Sequence, residues 1–125
     1  MASGETADLE ADTTLATDSL TTLHWIGIGL AAVTGLIHLW LGIGFAPSPM
    51  GLSFLFAGVV FVAAIGAVVL GVRRRLLYLL GIPFTGGQIP IWLAVNWPDF
   101  GVIGIVDKVV QVALIAVLVV LYRQV

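Results

Sequence analysis

Four stretches of about 20 predominantly apolar residues, the length a helix needs to cross a bilayer, take up most of this chain. They cover 23–44, 52–72, 76–97 and 103–122. The second has no charged residue, and the fourth carries Asp107 and Lys108 near its start. Only the segments FAPSPMG, RRR and PDFGV separate them. Connections this short make consecutive helices antiparallel neighbours. The expected fold is all-α: an integral membrane up-down-up-down four-helix bundle over residues 21–125. The chain is 60% hydrophobic and 10% charged, whereas a soluble domain is about 45–50% apolar and about 25% charged.

Residues 1–20 are of a different kind. They hold Glu5, Asp8, Glu10, Asp12 and Asp18, contain no Lys or Arg, and are rich in Thr, Ala and Ser. Such a segment cannot bury enough apolar surface to offset its ordering entropy, so a disordered acidic tail is expected. It does not read as a secretory signal, which opens on a basic region followed directly by a short apolar core.

Cationic residues that flank spans mark the cytoplasmic side. Arg73, Arg74 and Arg75 lie between the second and third spans, and Arg123 follows the fourth. All four agree on a cell-membrane protein with both termini cytoplasmic. Trp25, Tyr78 and Tyr122 then fall at the inner boundary, and Trp40, Trp92 and Trp97 toward the outer one, as interfacial aromatic belts do.

Several function classes drop out. With no cysteine there is no disulfide, thiolate metal site or cysteine nucleophile. A formal charge of −2 without a basic patch argues against nucleic acid. No catalytic triad or acid–base carboxylate pair is present, and the glycines of FTGGQ lie inside a span rather than after a strand. No catalytic residue and no enzyme activity are therefore expected. The expected partners are the lipid bilayer and either further copies of the chain or a membrane complex.

The residues that break the apolar pattern carry what functional signal there is. Gly27, Ala31 and Gly35 are spaced four apart in the first span, where small residues let another helix approach closely. Pro83, Gly86, Gly87 and Pro90 interrupt the third. Each proline removes an N–H and clashes with the carbonyl four residues back. A kinked or locally unwound helix is expected near mid-membrane, with Thr85 bonding back to its own helix. Broken helices with polar neighbours build substrate and ion sites in transporters, although Pro and Gly are also common in ordinary membrane helices.

Asp107 and Gln111 share one face of the fourth span. Ionisable residues inside a membrane usually face the protein interior or a water cavity. In the expected topology His38, Gln88, Asn96, Asp107 and Gln111 all fall in the outer half of the bilayer, close to Thr85 at its centre. Together they form a candidate polar cluster. It would hold water, a proton, a cation or a quinone-like headgroup, or it would fix helix register.

His24 and His38 lie about 40° apart around the first helix and about 21 Å apart along it. Stacked haems use a similar spacing, but each needs a facing histidine, and the chain has no others. Only a dimer pairing His24 with His24 and His38 with His38 would supply them. Two histidines are also too few for a zinc or iron site. No cofactor or metal is expected outside that dimer case.

The segments GLIHLWLGIGFAPSPMGLSFLFAG, RRRLLYLLGIPFTGGQIPIW and DKVVQVALIAVLVVLYR resemble a family of small four-span membrane proteins from halophilic archaea. The resemblance runs from about His24 to Arg123. It implies a haloarchaeal cell membrane, which suits the acidic tail. It brings no catalytic residues, because the family is a domain of unknown function. The leading expectation is a non-enzymatic accessory or oligomeric membrane subunit. The alternative is a small transporter or ion-conducting protein built on the third span and the polar cluster. A haem-binding electron carrier comes third.

Overall fold

The computed structural model describes residues 17–125. Most of the expected acidic tail lies outside the described residues. Its last part forms a short 3-10 turn, Thr17–Ser19. Four long helices follow: α1 (Thr22–Phe45), α2 (Pro49–Val69), α3 (Arg74–Asn96) and α4 (Val102–Gln124). All four are long and apolar enough to span a membrane, and there is no strand among the described residues. The chain is a helical bundle of the multi-pass membrane type.

Helix ends follow local chemistry. The α1 N-terminus is closed by the neighbouring Thr21 and His24. The Thr21 N–H donates to His24 Nδ1 at 3.1 Å, and the Thr21 hydroxyl lies 2.8 Å from the same nitrogen. α2 begins at Pro49, three residues earlier than hydropathy predicts. The reason is Ser48, whose Oγ accepts from the Gly51 N–H at 3.1 Å, followed by a proline at the first helical position. α2 ends in a tight turn with Gly71 at φ 74° and Arg73 at φ 44°. Only glycine enters that left-handed region without steric cost. Arg74 Nε donates to the Val68 carbonyl at 2.9 Å, satisfying an acceptor that the end of α2 leaves open.

The expected unwinding of the third span is not found. α3 is one continuous helix with Pro83 and Pro90 inside it. Each proline still removes its N–H and crowds the carbonyl four residues back, but its fixed φ suits a helix, and the helix continues through both. Gly86 and Gly87 meet no backbone: a Cβ on Gly86 would touch only Ile115 at 3.7 Å, and one on Gly87 nothing. They make that stretch of α3 thin rather than broken.

Packing does not follow chain order. α1 packs most extensively on α2 and also on α4, and α4 packs on α3, whereas α2 and α3 barely touch. The α1–α2 contact runs along Gly35 and Gly42 on one helix and Gly51 and Gly58 on the other. A Cβ on Gly58 would lie 2.9 Å from the Gly35 carbonyl, and one on Gly42 2.8 Å from the Leu55 nitrogen. A Cβ on Gly51 would overlap the Phe45 backbone. The expected small-residue stripe of α1 therefore serves three neighbours: Gly35 faces α2, Gly27 faces Val117 of α4, and Ala31 lines a cleft between helices.

Overpacking a tight contact costs about 1–3 kcal/mol. Gly58→Ala should lower stability by about that much, measured by SDS titration of protein in mixed micelles. Gly66→Ala, where a Cβ meets nothing within 4 Å, should leave it unchanged or slightly higher.

Candidate functional site

Polar groups in hydrocarbon must find partners within the protein, because no water is there to supply them. In this bundle they do so at one place, where α1, α3 and α4 meet. At its centre is Thr34 of α1, fully buried. Its hydroxyl donates to Asp107 Oδ1 at 2.6 Å and accepts from Gln111 Nε2 at 3.2 Å. Asp107 and Gln111 are one helical turn apart on α4, so one hydroxyl reaches both.

The network extends in three directions from that point. Gln111 Nε2 also donates to Gln88 Oε1 of α3 at 2.8 Å, and Gln88 Nε2 donates to the Phe84 carbonyl at 3.0 Å. Lys108 Nζ donates to Asp107 Oδ2 at 2.7 Å and to Gln111 Oε1 at 3.0 Å. His38 Nδ1 lies 2.8 Å from the Thr34 carbonyl and 4.0 Å from Asp107 Oδ1. A carbonyl only accepts, so Nδ1 carries the proton and Nε2 is left with its lone pair. The His38 ring packs edge-on against Phe54 at 5.7 Å and beside Phe61 at 5.9 Å, both from α2.

Charge is balanced inside the network. The Asp107 carboxylate is held by the Lys108 ammonium and the Thr34 hydroxyl, one on each oxygen. An unpaired ion in this position would be costly, and the pairing removes most of that penalty. Lys108 also lies 5.9 Å from the centre of the Trp92 ring. Trp92 stacks on Phe100 at 4.7 Å and sits so close to α4 that a Cβ on Gly104 would be 2.6 Å from its Nε1. The indole lies beside the Lys108 ammonium.

Of the residues proposed from the sequence, His38, Gln88, Asp107 and Gln111 come together. Asn96 does not join them, because its amide donates to the Trp92 carbonyl of its own helix at 3.0 Å. Thr85 is also elsewhere. Its hydroxyl is buried with no hydrogen-bond partner, so it does not bond back to its own helix, and it lines a separate cleft. Two members of the network, Thr34 and Lys108, were not among those candidates. The usable signal was the pair Thr34 and His38, one turn apart in an otherwise apolar span. The two histidines end in different surroundings: His24 faces the cleft, 6.3 Å from the Tyr78 ring, and His38 sits among phenylalanines. Among the described residues no group of three His, Asp or Glu is placed to hold a metal.

The cleft, of about 410 Å³, lies between α2 and α3 and is floored by α1 and α4. None of the network residues lines it. Comparison with protein-family models, with curated proteins and with solved structures finds no match for this chain.

Removing one member of a buried ion pair costs about 3–5 kcal/mol. Asp107→Asn and Lys108→Met should each destabilise the bundle on that scale, read by SDS titration. The double variant should lose less than the sum of the two, by about 1–3 kcal/mol, as expected for groups in direct contact.

Proposed function

We propose that this chain is a non-enzymatic membrane subunit that works in an assembly, either with copies of itself or within a larger membrane complex. The observation that carries this reading is the closure of the polar network. Asp107, Gln111, Gln88, Thr34 and Lys108 bond mainly to one another, and none of them borders the cleft. Such a network fixes the register of three helices, and its polar groups are spent on one another rather than turned toward a solute. The burial pattern adds support. α2 and α3 bury the least of their length within the bundle, so both have broad apolar faces free for neighbours.

The bundle in this reading is up-down-up-down with both termini cytoplasmic. Two contacts support it: Arg74 Nη1 donates to Ser19 Oγ at 2.5 Å, and Arg75 lies 5.3 Å from the Tyr122 ring centre. They join the approach to α1, the start of α3 and the end of α4 on the arginine-rich side. Cation placement and the resemblance to the haloarchaeal family support a cell-membrane location.

The absence of cysteine makes the test direct. Single cysteines at the exposed positions Val59 of α2 and Ile91 of α3 should cross-link in native membranes, to a second copy or to a specific partner. Cysteines at Ser19 and Asp99 should label from opposite sides of the membrane. A protein that stays monomeric and uncross-linked at both positions defeats the subunit reading.

One observation favours a second reading, a proton- or cation-conducting site. His38 Nδ1 lies 4.0 Å from Asp107, and its Nε2 lone pair is uncommitted by the Thr34 bond. In liposomes the subunit reading expects no proton or cation flux above protein-free vesicles. Flux that Asp107→Asn and Gln88→Leu abolish would replace it with the conducting reading.

A further inference from the structure

The cleft between α2 and α3 has a chemistry of its own. Its walls are Phe56, Val60 and Ala64 on one side and Leu77, Gly81 and Phe84 on the other. Among the described residues no Asp, Glu, Lys or Arg lines it. Its volume of about 410 Å³ is in the range that encloses a small ligand, about 300–1,000 Å³. Phe56 and Leu80 at its rim are exposed, so it opens on the hydrocarbon side of the bundle.

Within this apolar space two hydroxyls stand without partners. Tyr78 Oη and Thr85 Oγ1 are buried, and neither has a hydrogen bond. The two residues are 2% and 1% exposed. Buried polar groups in native proteins are nearly always paired, and each orphan calls for an explanation. They cannot satisfy each other. Seven residues apart, they lie on nearly the same face of α3 but about 10 Å apart along it. Water is a poor solution at Thr85, because a buried water needs two to four polar partners and Thr85 Oγ1 stands about 10 Å along α3 from Tyr78. A third donor stands at the same end as Tyr78. His24 Nδ1 accepts from the Thr21 N–H, so a neutral ring carries its proton on Nε2, and His24 lines the cleft.

We propose that the cleft is a binding site for a neutral, chain-bearing lipophile with a carbonyl headgroup. The headgroup oxygens accept from Tyr78 and His24 at the arginine-rich end. The chain follows the thin α3 face past Gly81 to Thr85, whose hydroxyl meets a second oxygen or the chain's polar branch. A carbonyl can accept from all three groups, whereas a ligand that only donates can be met by the two hydroxyls alone, which favours carbonyl compounds over ammonium groups. Among the described residues no charged side chain lines the cleft, so a phosphate or carboxylate buried there has no ion-pair partner in the lining. The proposal rests on the cleft alone and stands or falls separately from the subunit reading.

Carbonyl lipophiles reach a membrane protein as quinones or as fatty acyl esters, and the probes separate these sources. Purified protein in nanodiscs of ether-linked lipid, which has no ester carbonyl, is titrated with decylubiquinone, with ethyl laurate and with dodecylbenzene. Binding is followed by the chemical shift of the Thr85 methyl group and by native mass spectrometry. Saturable one-to-one binding is expected for a carbonyl probe and not for dodecylbenzene. The tighter of decylubiquinone and ethyl laurate names the source. Tyr78→Phe should weaken that binding about tenfold, as loss of one hydrogen bond worth about 1.4 kcal/mol does. Ala64→Phe, which fills the cleft with an apolar ring, should abolish binding while the protein stays folded. Equal binding of all three probes overturns the proposal, and so does unchanged affinity in both Tyr78→Phe and Thr85→Val. Concentration-dependent dimerisation that Ala64→Phe abolishes, without binding of any probe, overturns it in favour of a second copy in the cleft.

Discussion

One hydroxyl decides how this bundle is put together. Thr34 sits at the middle of α1, where a lone polar group has no water to turn to. Its hydroxyl donates a hydrogen bond to Asp107 and accepts one from Gln111. Through Gln111 it reaches Gln88 of α3, and through its own carbonyl it holds His38. Apolar contacts between membrane helices are weakly directional, because lipid is as good a neighbour as leucine. Sliding α4 by one residue along α1 would break both Thr34 bonds and leave the Asp107–Lys108 pair badly placed. The network therefore fixes register, and the glycine contacts fix distance.

These two devices divide the molecule. α1 and α2 approach through Gly35, Gly42, Gly51 and Gly58, with almost no polar contribution. α1, α3 and α4 are joined through polar side chains. Neither device acts between α2 and α3, and that is where the cleft lies. A bundle with four glycines on one seam and a hydrogen-bond chain on another leaves its remaining seam to whatever the membrane provides.

Much of this was legible in the sequence. Span length and hydropathy place all four helices to within about three residues, and the one shifted start, at Pro49, follows from the serine–proline pair that caps it. His38, Gln88, Asp107 and Gln111 stand out because polar residues in a span need a reason to be there. Thr34 escaped notice because threonine inside a helix can satisfy itself on its own backbone. Thr85 misled for the same reason, since it was expected to bond back and does not. The glycine–proline stretch of α3 looked like a break because each residue weakens a helix alone, yet α3 runs through it as one helix. The cleft was out of reach, because short connections say which helices are consecutive and not which pair packs least.

The position of Asp107 and Lys108 late in the chain has a consequence for biogenesis. Spans leave the ribosome in order, N-terminal first. The α1–α2 pair can close on its glycines as soon as both are in the bilayer, since nothing else is needed for that seam. Thr34 and Gln88 then wait in lipid without the α4 groups that complete them. Only the last span supplies the carboxylate and the amide, and the ammonium that balances the carboxylate arrives beside it. The network therefore has all its members only once the last span is in place, and that span brings its own neutralising charge.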